Sequence, residues 1–116
     1  MATNNDSPTL PYDEITERAV LGSLLVYPEV IDTVITKLKP YDFYNQKHRE
    51  IFNAVIQLFN ESKPIEPLLV KEYLEKKGSL ELVGGLQYIT ELAFEAVPPE
   101  VVYQLIDILK EKATLR

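Results

Sequence analysis

From Asp13 onward the apolar residues recur with the period of an α-helix, and prolines cut that pattern into segments. This pairing of period and punctuation constrains the fold more than any other feature. It predicts an all-α chain of about six helices with no sheet. Pro11 precedes a helix expected over about Asp13 to Val26, with Asp13, Glu14 and Glu17 in its first turns, where carboxylates suit the positive end of the helix dipole. Ile15, Ala19, Gly22 and Val26 form one stripe of it, widened by Val20, Leu21, Leu24 and Leu25. The small residues Ala19, Gly22 and Ser23 read as a close approach to a neighbouring helix rather than as a ligand notch.

Pro28 fits the first turn of a second helix carrying Ile31, Val34, Ile35 and Leu38, which Pro40 ends. "YDFYNQ", Tyr41 to Gln46, reads as an aromatic connector wrapped on the core rather than a base-stacking platform. Asn45 is placed to cap a third helix with His48, Ile51, Phe52, Val55, Leu58 and Phe59 on one face. His48 is the sole histidine and has no nucleophile or metal-binding companion in its pattern, so it reads as structural. A fourth helix is expected from Pro67 to Gly78, with Lys76 and Lys77 at its negative end. A fifth runs from Gly85 through Leu86, Ile89, Leu92, Ala93 and Ala96.

"KKGSLELVGGLQYITEL" places Gly78, Gly84 and Gly85 close together. A phosphate loop needs Lys and Ser or Thr after its last glycine, but Leu86 and Gln87 follow here. The dinucleotide spacing G-x-G-x-x-G is also missing. These glycines therefore read as a helix stop, a tight corner and a helix start. Net charge is -6, and no Lys or Arg occurs from Ser79 to Leu109. Tight DNA binding needs clustered basic residues to neutralise phosphates, so a protein partner suits the chain better. There is no cysteine for a disulfide or a thiolate metal site. No apolar run approaches the ~18 residues a membrane span requires.

The sixth helix, opening at Pro99, differs from the rest. Val102, Leu105, Ile106, Leu109 and Ala113 make one stripe, and Val101, Leu105, Ile108, Lys112 and Leu115 make an adjoining one. Together they cover about half the circumference, more than docking on one small core needs. No Gly, Asn or Pro terminates the helix before Arg116, so the chain reads as part of a longer protein.

"RAVLGSLL", "DFYNQKHREIFNAVIQL", "VKEYLEKKGSLELVGGLQYITELA" and "VYQLIDILKEKATLR" occur in that order. Over about Asp13 to Arg116 the chain resembles the N-terminal domain of the bacterial replicative DNA helicase, the DnaB family. The most specific features are His48 with Ile51-Phe52, Gly84-Gly85 before Tyr88, and the ending "LKEKATLR". The stretch Ile65-Glu66-Pro67-Leu68-Leu69 departs from the Asp or Thr that usually starts the family's fourth helix.

The resemblance implies a helical head followed by a helical hairpin. It divides the chain into a disordered lead-in over 1–11, a head over 12–97, and the first hairpin arm over 98–116. In the family, heads and hairpins pair so that six subunits form a ring as a trimer of dimers. Implied partners are further copies of the chain, the primase and in some species a helicase loader, with no direct DNA binding by this domain alone. The implied compartment is the cytoplasm of a bacterium, or a plastid. No catalytic residue carries over, because ATP and Mg belong to a C-terminal ATPase domain that would follow. The candidate interface residues are Val101, Val102, Leu105, Ile106, Ile108, Leu109 and Leu115.

Three other readings compete with this one, and a helical nucleic-acid-binding protein would need a basic recognition helix that none of the six provides. A stand-alone helical-bundle interaction or regulatory domain needs the same exposed face but no ring. A small enzyme needs charged groups converging in a cleft, whereas Glu72, Glu75 and Lys76 fall on outward faces.

Overall fold

One helix organises the packing. In a computed structural model, which describes residues 13–116, α1 (Glu14–Val26) is buried on almost every side. Thr16, Glu17 and Ala19 through Leu25 are all covered, so this helix is an axis and not a surface element. α3 (Gln46–Asn60), α5 (Gly85–Ala93) and α6 (Pro99–Leu115) pack around it. α2 (Ile31–Lys37) lies against α6, and α4 (Pro67–Lys77) bridges α3 and α5. Among the described residues there are six α-helices and no strand. The lead-in expected over 1–11 lies outside the described residues, as does Tyr12.

The helix signals act through identifiable bonds. Asp13 is the N-cap of α1, and its carboxylate accepts the Thr16 N–H at 3.1 Å. That bond holds the Asp13 carboxyl below the usual aspartate range, against an opposing effect of partial burial. A carboxyl depressed on folding contributes stability above its unfolded value and loses it as the pH falls. Asp13→Ala is therefore expected to cost about 1 kcal/mol at neutral pH. The difference from the unsubstituted chain should shrink below about pH 4. Urea unfolding at pH 7 and at pH 3 checks this. An undiminished difference at the lower pH would show that the carboxylate charge is irrelevant.

Three local expectations are refined. The segment opened by Pro28 starts as a 3₁₀ turn, Pro28–Val30, before the α-helical stretch begins at Ile31. A second 3₁₀ turn, Pro40–Asp42, occupies the start of the aromatic connector. Only Phe43 of its three rings wraps the core, packing on Phe52 at 4.9 Å between centroids, while Tyr41 and Tyr44 are exposed. At the start of α4 the missing Asp or Thr is replaced by Glu66, whose side chain accepts the Leu68 N–H at 3.1 Å.

The small-residue stripe does admit a neighbour. A Cβ on Gly22 would overlap the carbonyl oxygen of Leu92 and stand 3.2 Å from the Ala96 nitrogen. Ser23 fastens the same contact by accepting from Val97 N at 2.9 Å, while its hydroxyl donates within α1 to Ala19 O at 2.7 Å. Ile15 and Val26, at the two ends of that stripe, are exposed, so the stripe is covered only in its middle. Gly84 caps α5 at φ 98°, a left-handed conformation that side-chain-bearing residues rarely adopt. The glycine pair makes a corner, as its sequence context implies.

Candidate functional site

α6 leaves the core at Pro98-Pro99, with Pro99 at its first position and Glu100 in its first turn. From there the helix divides lengthwise. Val102, Ile106 and Leu109 are buried against the other helices, and Leu105 is half-buried. Val101, Ile108 and Leu115 are exposed, by 37%, 38% and 65%. Of the seven candidate interface residues, Val102, Ile106 and Leu109 are thus occupied by the core. They cannot also meet a partner unless α6 detaches, which corrects that part of the expectation. The outer row runs Val101, Leu105, Ile108, Lys112, Leu115, spaced four, three, four and three. This is the alternation by which two long helices pack along a common seam.

Polar contacts fix the angle of α6. The Lys110 ammonium donates to Asp42 Oδ2 at 3.0 Å, and the Arg116 guanidinium donates to the Asp42 backbone carbonyl at 2.7 Å. Asp42 is buried and also accepts the Lys39 N–H at 2.9 Å. The far half of α6 is thereby held on the aromatic connector while its outer row faces away.

A second cluster lies inside the molecule. His48 Nδ1 is 2.7 Å from Glu17 Oε1, and its Nε2 is 2.7 Å from the Tyr88 hydroxyl. Glu17 also accepts the Tyr44 N–H at 2.6 Å and the Asn45 N–H at 3.4 Å. One carboxylate thus ties α1 to the start of α3, and the imidazole passes the connection to α5. Both ring nitrogens are engaged, so His48 is a satisfied structural histidine, as its isolation in the sequence suggests.

Sequence reasoning missed the inward Glu17 and Asp42, and assigned Glu17 only to the helix dipole. The available signal was position: Glu17 shares a face with Leu21 and Leu24, four and seven residues on. These inward groups do not form an open cleft. The surface hollows edged by Leu58, Glu61, Tyr73 and Lys76, and by Pro28, Phe59 and Ile65, include none of Glu17, Asp42 or His48. Among the described residues no three His, Cys, Asp or Glu side chains are placed to hold a metal ion. None of the described helices is, by itself, long and apolar enough to cross a membrane.

The model of the DnaB-like helicase N terminal domain matches residues 9–111. The chain belongs to this family. It is 35% identical over 100 residues to the replicative DNA helicase DnaB of Rhodothermus marinus, covering 86% of this chain and 11% of that protein. It is 32% identical over 109 residues to a probable replicative DNA helicase of Trieres chinensis, covering 92% of this chain and 24% of that one. The replicative DNA helicase DnaC of Bacillus subtilis is 32% identical over 100 residues, with 86% of this chain and 22% of that protein covered. This DnaB-family chain therefore spans between about a tenth and a quarter of the curated relatives it matches.

Among solved structures, the N-terminal domain of DnaB helicase from Mycobacterium tuberculosis superposes with a TM-score of 0.89 at 30% identity, covering 93% of this chain and 77% of that one. A DnaB-like replicative helicase, solved in a study of its interactions with primase, superposes with a TM-score of 0.76 at 28% identity, covering 87% of this chain and 24% of that one. The all-α fold is thus that of the DnaB N-terminal domain.

Proposed function

We propose that this DnaB-family domain is a non-catalytic assembly and docking module of a hexameric replicative DNA helicase. Its α6 pairs with a second copy, pairs build a ring as a trimer of dimers, and the collar so formed docks primase or a helicase loader. ATP and Mg act in a separate C-terminal domain that powers unwinding, and this domain neither hydrolyses ATP nor grips DNA alone. The observation that carries the reading is the outer row of α6, which presents Val101, Ile108 and Leu115 at seam spacing while the inner row is used by the core.

The energetics favour a weak contact for α6 alone. Fully burying a Leu or Ile is worth about 1.5–3 kcal/mol. Val101 and Ile108 are already about two-thirds covered, so each adds on the order of 1 kcal/mol to a partner, and Leu115 adds more. Association itself costs several kcal/mol. A second hairpin arm would widen the seam.

The expected result is that extension by one helix beyond Arg116 raises dimer affinity at least about tenfold, or about 1.4 kcal/mol. Ile108→Glu in the extended chain should restore the monomer with the head still folded. Leu109→Glu is unsuited to this test, because Leu109 is core and its loss unfolds the head. Sedimentation equilibrium over a concentration series, with circular dichroism on the same samples, reads both. Equal association of short and extended chains, unchanged by Ile108→Glu, would sink the proposal.

A further inference from the structure

The inner face of α6 changes character along its length. Val102, Ile106 and Leu109 are exposed by no more than 3% and fasten the near part of the helix to the core. Beyond Leu109, none of residues 110–116 is buried. The far end of α6 therefore gains little from apolar packing on the head.

Polar contacts hold it instead, and they converge on one short stretch. The Lys110 ammonium donates to Asp42 Oδ2, and the Arg116 guanidinium donates to the Asp42 carbonyl and lies over the Tyr44 ring, 5.5 Å from its centroid. Lys112 acts on Asp13, where, behind the Thr16 N–H bond, it helps hold the carboxyl low. The receiving stretch is itself pinned to the head. The buried Asp42 carboxylate also accepts the Lys39 N–H. Arg49 Nη1 donates to the Phe43 and Tyr44 carbonyls at 3.0 and 2.8 Å, and the Phe43 ring packs on Phe52. Asp42 is thus a fixed point, and the far end of α6 is tied to it from outside.

The seam depends on that end. Leu115 is the most exposed member of the outer row and has the most apolar surface to give a partner. A seam spaced four and three packs only where the helix keeps its course, since each side chain must fit between those of the facing helix.

We infer that Asp42 is a positioning residue for assembly: its carboxylate through Lys110, and its carbonyl through Arg116, set the course of the far end of α6 and so the fit of Ile108 and Leu115 against a second copy. This rests on the proposed pairing of α6 and adds to it the residue on the head that aligns the seam. Loosening the clamp lowers the fraction of chains ready to pair, and apparent affinity falls by that fraction. The Lys110 side chain is 46% exposed, so salt screens the ion pair. Alignment of an apolar seam thereby becomes sensitive to ionic strength.

The chain has no cysteine, so spin labels at Glu72→Cys and Thr114→Cys, both exposed positions, report the distance from α4 to the far end of α6. The distance distribution should be narrow in the otherwise unsubstituted chain. Asp42→Asn keeps an oxygen for the Lys39 N–H but loses the charge, and it should broaden the distribution. In the chain extended by one helix, the same substitution should weaken dimerisation about fivefold, or about 1 kcal/mol. That gap should close as salt is raised from about 0.05 M to about 0.5 M. Lys110→Met keeps the aliphatic stem and alters a half-exposed site, so it should act alike with the head folded, even where Asp42→Asn does not fold.

Unchanged distances in the variants overturn the inference, and so does a broadened distribution with dimerisation unaltered. A gap that persists at high salt overturns it too, because the effect then comes from packing around Asp42 and not from its charge. In these three cases the pairing of α6 stands. If the unsubstituted extended chain does not dimerise at all, the pairing itself fails and this inference with it.

Discussion

Gly22→Val is expected to leave the chain unable to fold, and Gly22→Ala to lower its melting temperature by about 10 °C. In an exposed helix interior the sign would be opposite, since Ala is favoured over Gly by about 1 kcal/mol. Here the first atom of any side chain would overlap the Leu92 carbonyl oxygen and stand 2.9 Å from its carbon. Those are backbone atoms of α5 and cannot rotate aside, so α1 and α5 must separate. Overpacking of this kind costs about 1–3 kcal/mol for one methyl, and more for a branched side chain. Overlap with a rigid backbone oxygen puts the cost at the top of that range, about 3 kcal/mol, so after the propensity gain a net loss of about 2 kcal/mol remains, roughly 10 °C for a domain of this size. Separating the helices also strains the Ser23 bond to Val97. Thermal melts followed by circular dichroism decide it, and a melting temperature equal to or above that of the unsubstituted chain would refute the close contact.

Glu17→Ala is expected to remove about 3 kcal/mol, since each buried donor left without its acceptor costs about 1–3 kcal/mol. Three donors lose their acceptor at once: the His48 ring, the Tyr44 N–H and the Asn45 N–H. The His48 ring is fully buried and cannot turn to water without opening the start of α3. A domain of this size has about 5–15 kcal/mol of stability in all, so the variant should sit near its unfolding midpoint in mild denaturant. Glu17→Gln keeps an acceptor oxygen and should lose distinctly less. The double variant Glu17→Ala, His48→Ala should cost less than the sum of its singles, by about 1 kcal/mol or more, since the second change removes the group stranded by the first. Urea unfolding of the four chains reads the coupling. Strict additivity would mean that the carboxylate and the ring act independently.

The comparison of Glu17 with Leu21 shows where sequence reading stops. Both occupy one face of α1, and a helical period alone marks that face as internal. Chemistry marks Glu17 as a surface residue, because a carboxylate in the first turn is well placed for the dipole. The deciding fact is that the start of α3 brings two backbone N–H groups and an imidazole to the same point. Those groups are 27 to 31 residues away in the chain, and no local pattern records their approach. Asp42 is similar, because its partner Lys110 lies 68 residues on.

The candidate site on α6 was half legible. Its width was readable from the two apolar stripes, since angular position on one helix follows from numbering alone. Only Lys112 told the outer stripe from the inner one. Packing against α1 and the tether of Lys110 and Arg116 to Asp42 chose Val102, Ile106 and Leu109 for the inside and left Val101, Ile108 and Leu115 outside.

The sequence by itself determined what depends on neighbours within a few residues: the helices, their proline and glycine boundaries, the Asp13 and Asn45 caps, and the small notch at Gly22. Each is settled within about one or two helical turns, the range over which side chains and backbone of one segment interact. Only the tertiary structure decided the Glu17–His48–Tyr88 bracket and the clamp on α6. Each depends on which distant segment arrives at a given face, and that is fixed by packing the whole core at once.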